Sequence, residues 1–405
     1  MKRPAVLLTL ASLLLLAAGR FDYPTGKPPA ELAAFVQGNT VFAFNLHRQL
    51  AQPGTNLFFS PYSLTAALAL VQSGARGQTE QQIAGTLHFP GPADLQTALA
   101  RIRESFTNAG QHEHIELPSA TGLWARQNYG ISDDFLQRAR DAFAAEVQLV
   151  DFGSGSDALL SQINSWVSRQ TRGKIENVLL PENISTNMPL VFVNTLYFKG
   201  QWASQFSRQH TQTRRFQLSP KHSVRVQMME QTCYARYAES DLAQMVELPY
   251  AGFGLSMVVL LPRQPDGLPE LEQRLSGNLL TNWMAAARGH TVDLRLPRFN
   301  LRSRLPLSQP LSVLGMPDAF DRAKADFTGM TPKRPLWLAF LQQCAIVEVN
   351  EEGTVAAAAT SGGMGCSSKP PPATFHADHP FLFFIRDNHT GVILFLGRVA
   401  NPAQS

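Results

Sequence analysis

Apolar positions follow a helical spacing over much of the first 170 residues and an alternating one beyond residue 190, so the period of the chain changes partway. Leu32, Phe35, Val36, Phe42, Ala43, Leu46 and Leu50 fall close to one helical face and predict a long amphipathic helix over Leu32–Leu50. A short strand over Asn56–Phe59 leads into Ser60-Pro61. Ser60 is placed to cap a helix, and Pro61 stands at the first helical position, where its missing N–H costs nothing. The helix that follows, Leu64 to Val71, is apolar nearly all round and predicts burial. Further helices are predicted over Thr79–Leu87, Asp94–Phe106, from a Ser132 cap through Phe143, and over Asp157–Thr171, with strands at Leu117–Ala125 and Val147–Phe152 between them.

From Leu190 strands take over: Leu190–Tyr197, Arg214–Leu218, Val224–Met229, Tyr234–Tyr237, Ala243–Pro249, Leu255–Leu261 and Thr291–Leu296. One helix over Pro269–Ala286 and a shorter one around Leu311–Leu314 interrupt them. Helices first and antiparallel strands later predict an α+β fold. Near the C-terminus a period-2 strand over Ile346–Glu351 runs into about 20 residues of Ala, Gly, Ser and Thr before apolar strand resumes at Phe381–Ile385. Connections longer than about 12–15 residues without structure of their own are uncommon and functional or disordered, so this one demands a reason.

Composition narrows the picture. A chain of 405 residues with 44% hydrophobic and 16% charged residues buries a large core, and the pattern shows neither a repeat nor a linker, which predicts one domain over residues 30–405. Lys2, Arg3 and the 14-residue apolar run Ala5–Ala18, ending in Ala17-Ala18-Gly19, have the layout of a secretory signal peptide over residues 1–19, followed by a polar tether over 20–29. The run is short of the roughly 20 residues a spanning helix needs, so no membrane partner is expected. The chain is expected to be secreted or extracellular, or periplasmic in a bacterial host. Without Lys2 and Arg3 the formal charge of +4 falls by two, which leaves no basis for a nucleic-acid partner. Three cysteines exclude a disulfide framework: Cys233 and Cys344 read as small hydrophobes, Cys366 as an exposed thiol.

The catalytic signatures are absent. There is no Gly-x-Ser-x-Gly elbow, phosphate-binding glycine loop or His-Glu-x-x-His pair, and no cofactor is implied. His112-Glu113-His114 has no third ligand nearby in sequence and reads as a solvated loop. His376 and His379 read as satisfied polar residues at a strand entrance. Asn183-Ile184-Ser185 and Asn388-His389-Thr390 fit a glycosylation acceptor pattern and decide nothing about function.

Five ordered motifs point to a family. Asn56-Leu-Phe-Phe-Ser-Pro-Tyr-Ser-Leu with Gly74-Ala-Arg-Gly-Gln-Thr79, Val193-Asn-Thr-Leu-Tyr-Phe-Lys-Gly-Gln-Trp202, Leu314-Gly-Met-Pro-Asp-Ala-Phe320, Ala325-Asp-Phe-Thr-Gly329, and Phe375-His-Ala-Asp-His-Pro-Phe-Leu-Phe-Phe-Ile385 with Gly391–Pro402 resemble the serpins over some 350 residues. The resemblance implies three β-sheets with about nine helices and a reactive-centre loop, here about residues 353–372, offered as bait to a protease. It implies no enzyme activity but a suicide-substrate inhibitor, acting as a monomer: the protease forms an acyl-enzyme, and the cleaved loop inserts into the central sheet as a new strand before water releases it. From Gly353 to Ser367 such a strand would travel on the order of 46 Å.

The resemblance also assigns residues. The loop hinge is Glu351, Gly353, Thr354, Ala356, Ala357, Ala358, Ala359 and Thr360. Thr354, Ala356, Ala358, Thr360, Gly362 and Met364 form one face of the future strand, and neither face carries a charge or bulky ring that would slow insertion. Ser60, Ser63 and Asn194 match the polar "shutter" beneath the sheet, where Gln343 stands in place of a usual His and keeps a donor and an acceptor but cannot titrate. Trp202, Arg298 and Glu351 match the "breach", where the loop first enters. Counting from the hinge places the bait bond at Ser367–Ser368; counting back from Pro380 gives Lys369–Pro370, and Cys366–Ser367 is a further alternative. A small residue there suits an elastase- or subtilisin-like protease, and Cys366 a cysteine protease. The rival reading is a non-inhibitory serpin that binds or chaperones, which the missing shutter His favours.

Overall fold

The computed structural model describes residues 30–89, 95–102, 115–152, 156–353 and 371–404. Nine α-helices lie among them: α1 Ala30–Leu50, α2 Pro61–Gly74, α3 Gly77–Leu87, α4 over 95–102, α5 Asp133–Phe143, α6 Ser156–Gln170, α7 Leu268–Arg274, α8 Gly277–Ala286 and α9 Ser308–Leu314. The strands are β1 Leu57–Phe59, β2 Ile115–Glu116, β3 Ser119–Arg126, β4 Glu146–Val150, β5 Leu190–Gly200, β6 Gln212–Ser219, β7 His222–Glu239, β8 Ala243–Pro249, β9 Leu255–Pro262, β10 Arg288–Pro297, β11 Phe299–Pro306, β12 Phe340–Val349, β13 Ala373–His376, β14 Phe381–Asp387 and β15 Ile393–Val399.

One sheet runs β11-β12-β5-β3-β4, with β2 on the end of β5. The other strands form one hydrogen-bonded network that resolves into two sheets sharing β7. The first half of β7 pairs with β6 and its middle with β10, which carries β13; its last residues pair with β8, beyond which lie β9, β14, β15 and β1. Two strands expected over Val224–Met229 and Tyr234–Tyr237 are therefore one strand of 18 residues. Between the two predicted segments stand Glu230, Gln231, Thr232 and Cys233, a polar run that hides the continuity; β10 pairs straight across it. The helix expected over Pro269–Ala286 is two, because Ser276 caps a fresh start by accepting the Leu279 N–H. At α2 the expectation holds in detail, with the Ser60 hydroxyl capping through Ser63 N–H and Pro61 at the first turn.

Within the β11-β12-β5-β3-β4 sheet, β5 is buried on both faces, its alternation sending successive side chains to opposite sides. Leu190, Phe192, Leu196 and Phe198 of β5 face the main cores, while Val191, Val193 and Tyr197 face a third cluster under α6. There Trp166 of α6 meets Trp124 of β3 edge-to-face at 5.1 Å. Strands β12 and β5 pair directly and in parallel from Phe340↔Val191 to Val347↔Phe198. Antiparallel β11 flanks β12 on the other side.

Candidate functional site

Two polar constellations lie along the seam between β12 and β5. The lower one is built on the start of α2. Ser60 and Ser63 lie there because the Pro61 helix start points the cap back toward the sheet, and Asn194 and Gln343 are register partners on β5 and β12. Ser60, Asn194 and Gln343 are fully buried and Ser63 nearly so. The Gln343 amide uses every polar atom: Oε1 accepts the Ser60 N–H at 2.9 Å, and Nε2 donates to Ser60 O at 3.2 Å and to Asn194 Oδ1 at 2.7 Å. Ser63 Oγ donates to the same Asn194 oxygen at 2.9 Å, Asn194 Nδ2 donates to Thr121 Oγ1 at 3.1 Å, and Ser60 Oγ donates to Leu394 O at 2.6 Å. The cluster therefore ties α2, β3, β5, β12 and β15 together without a titratable group.

The upper constellation sits where β12 ends. Asn350 and Gly353 exchange backbone hydrogen bonds at 3.3 and 3.2 Å, closing a tight turn, and the Glu352 N–H donates to Asn350 Oδ1 at 3.1 Å. Gly353 has φ +94°, and a Cβ there would lie 2.3 Å from Gly200 O and 2.4 Å from Trp202 N, so glycine is required twice over. Trp202 holds the turn from the β5 side: its backbone N–H donates to Glu352 O at 3.1 Å and its indole N–H to Asn350 O at 2.9 Å. The indole stacks on Tyr250 at 4.7 Å.

Glu351 is 2% exposed, with one carboxylate oxygen drawing three donors. Arg298 reaches its Oε1 with Nε at 2.7 Å and Nη2 at 2.5 Å, Thr211 donates to the same oxygen, and the Phe206 N–H donates to its backbone carbonyl at 2.8 Å. Burial pushes this carboxyl up, but the Arg298 and Thr211 hydrogen bonds outweigh it and hold the group below its ordinary value. Glu352 is paired with Arg208.

The sequence-assigned residues thus divide three ways. Ser60, Ser63, Asn194 and Gln343 come together in one cluster, and Trp202, Arg298, Glu351 and Gly353 in another. Thr354, Ala356, Ala357, Ala358, Ala359, Thr360, Cys366, Ser367, Ser368 and Lys369 lie outside the described residues, as do His112–His114 and residues 1–29. Tyr250, Thr211, Asn350 and Thr121 are additions that sequence reasoning missed. A buried Tyr in Leu248-Pro249-Tyr250 carries no local sign of the indole it will stack on 48 residues earlier. The remaining candidates are occupied: His376 Nε2 lies 2.9 Å from Asp293 Oδ2, and His379 contacts Asp378 Oδ1 and Pro262 O, both at 2.8 Å. Cys344 is buried and Cys233 half-buried, and burial pushes their thiols up to about 11 and about 12, so neither is an activated nucleophile.

A family described as "Serpin (serine protease inhibitor)" matches residues 37–402. Serpin B3 of Homo sapiens is 37% identical over 386 residues, covering 90% of this chain and 99% of its own length. Leukocyte elastase inhibitor A of Rattus norvegicus is 36% identical over 374 residues, covering 90% of this chain and 98% of its own. Among solved structures, uncleaved ovalbumin is similar with a TM-score of 0.83 at 28% identity, over 91% of this chain and 100% of that one.

Proposed function

This chain belongs to the serpin family, and from that premise we propose that it inhibits a serine protease as a suicide substrate, trapping the acyl-enzyme by drawing its cleaved loop into the seam between β12 and β5. The observation that carries the reading is the arrangement at the top of that seam. The chain leaves β12 through the Asn350–Gly353 turn, which already points it back along the strand it came from. A strand continuing from this turn runs antiparallel to β12, and because β12 and β5 are parallel to each other, it runs antiparallel to both. Insertion therefore exchanges one parallel ladder for two antiparallel ones, the more stable pairing per residue.

The composition of the incoming segment supports the same reading. Ala356 to Ala359 between Thr354 and Thr360 put no charge on either face, so nothing has to be desolvated unpaired as the strand enters. The target is an elastase- or subtilisin-like protease that cuts the loop at Ser367–Ser368: a small residue suits a small pocket, and a relative over 90% of the chain carries the name leukocyte elastase inhibitor. We also propose, on the N-terminal pattern alone, that the protein is exported after removal of residues 1–19; N-terminal sequencing of the product from its native host tests this.

Mixing the protein with elastase and with trypsin tests the main reading. An SDS-stable complex with elastase, with mass spectrometry locating the acyl bond at Ser367, is the expected result. Cleavage after Lys369 by trypsin, or cleavage by elastase with no stable complex, overturns the assignment of bond and of mechanism respectively.

A further inference from the structure

We propose that the exposed face of the β6–β7 hairpin is a second docking surface for the target protease, taking an acidic patch beside that protease's cleft. The identity of the occupant rests on the inhibitor reading above; the chemistry rests on the hairpin itself. From Gln201 to Met229 the sequence holds five Lys or Arg residues and no Asp or Glu. Arg208 pairs with Glu352, and Arg214 with Glu230, which Arg295 also approaches. Arg215, Lys221 and Arg225 remain, all exposed, and none of them has an acidic partner among the described residues.

The register makes this more than a surplus of charge. Arg215 lies directly opposite Arg225 across the two strands, so two guanidinium groups share one cross-strand position. Like charges in that relation destabilise a sheet. Thr213 and Gln227 pair beside them and bond to each other at 2.9 Å. The other face of the hairpin carries Phe216, Val226 and Met228, all buried. The outward face is thus polar and cationic, and a bound carboxylate cluster would remove the repulsion built into it.

Position selects the occupant. The segment leading into β6 is fastened to the hinge through Phe206 and Thr211 on Glu351 and Arg208 on Glu352. The Gln217 N–H donates to Asp378 O at 2.7 Å, two residues past β13, which follows the loop at its other end. The Asp378 carboxylate itself is held by His379. The hairpin is therefore fastened at one side to Glu351 and Glu352, just before the loop, and at the other to Asp378, just after β13, which puts its cationic face beside the place where a protease on the loop would dock. A polyanion could be attracted by the same charges, but it would have no need of this position.

The test uses full-length inhibitor and subtilisin whose active-site Ser is changed to Ala, in two forms: native, and one with Asp and Glu introduced around the cleft mouth. Arg215→Glu/Arg225→Glu should slow association with the acid-ringed form by about 10-fold at low salt, with the difference closing at about 0.5 M salt, and should leave native subtilisin nearly unaffected. Arg215→Glu alone sets opposite charges across the same register pair, keeps the hairpin intact, and should give an intermediate rate. Equal rates, no association of the wild-type chain with the acid-ringed form, or a difference that appears only when heparin is added would overturn the proposal. Active acid-ringed subtilisin separates the two readings: charge-dependent association without an SDS-stable complex sinks the inhibitor mechanism and keeps the docking face, and a stable complex at an unchanged rate does the reverse.

Discussion

Two residues gather the buried polar contacts along the seam, Gln343 at its middle and Glu351 at its top. Gln343 makes three buried hydrogen bonds and leaves no polar atom of its own unmet. Gln343→Leu would leave the Ser60 N–H unmet, while Ser60 O keeps the Leu64 N–H at 3.1 Å and Asn194 Oδ1 keeps the Ser63 hydroxyl. One unmet buried group costs about 1–3 kcal/mol, and a loss in that range is expected in chemical denaturation. Gln343→His should bring in a pH dependence that the native cluster lacks. Only a neutral imidazole can accept from Ser60 N–H while donating to Asn194, so its folded-state pKa is depressed and stability should fall as the pH drops below about 6.5. A flat melting temperature from pH 5 to 8 would refute this account of the cluster.

Glu351 titrates the other way round when its partner is lost. In the native protein its lowered pKa contributes stability that is full above the ordinary carboxylate value of 4.5 and disappears as pH falls through the folded value. Arg298→Met removes the strongest opposing hydrogen bond and leaves the upward push of burial. The carboxyl pKa then rises, so the variant should be destabilised at pH 7 and regain part of that loss on acidification toward pH 5, opposite in sign to the wild type. Melting curves at the two pH values decide it.

At the scale of elements, α2, β1, β8 and β9 were legible because their pattern is local. Ser60-Pro61 marks a helix start, and Ala243–Pro249 and Leu255–Leu261 read as strands without reference to anything else. Strand β11 was not foreseen, although Phe299, Leu301 and Leu305 alternate with polar residues; its two exposed arginines, Arg302 and Arg304, and the prolines at 297 and 306 resemble a surface segment until β12 is known to lie beside it. The start of β12 was hidden for the opposite reason. Gln342, Gln343 and Cys344 are polar or ambiguous by type, yet all are buried, and the oxygen and nitrogen partners of the two amides, Val178 O, Asn194 Oδ1 and the Ser60 backbone, come from residues 149 or more positions away. Likewise the motif residues of the two constellations could be named from sequence, but the turn that aims the loop could not. Its Gly353 is dictated by the close approach of Gly200 and Trp202, a contact no local reading contains. Gly353→Ala should cost about 2–4 kcal/mol through a φ that alanine resists and a clash with backbone. If that turn sets the direction of insertion, as the proposed mechanism requires, the variant should also lose more SDS-stable complex than its stability loss alone accounts for, measured against Gln343→Leu at matched stability.

For the whole molecule, the proposed trapping requires the closed seam to be less stable than the state with the loop inserted. Parallel pairing joins β12 to β5 along eight register positions, and α6 lies across the outer face through Trp166 on Trp124. If the segment after Gly353 supplies two antiparallel ladders in exchange, cleaving the loop should raise the melting temperature, each added kcal/mol being worth about 1–1.5 °C in a domain of this size. A rise of at least about 20 °C after limited elastase cleavage would correspond to roughly 13–20 kcal/mol on that scale. Ala358→Arg puts an unpaired charge on one face of the incoming strand without touching any described residue of the shutter or the breach. The intact variant should therefore melt with the wild type, be cut at the same rate, and show little of the thermal gain. Wild-type and variant proteins that gain equally would mean the cleaved segment never enters the seam, and trapping by strand insertion would fall with it.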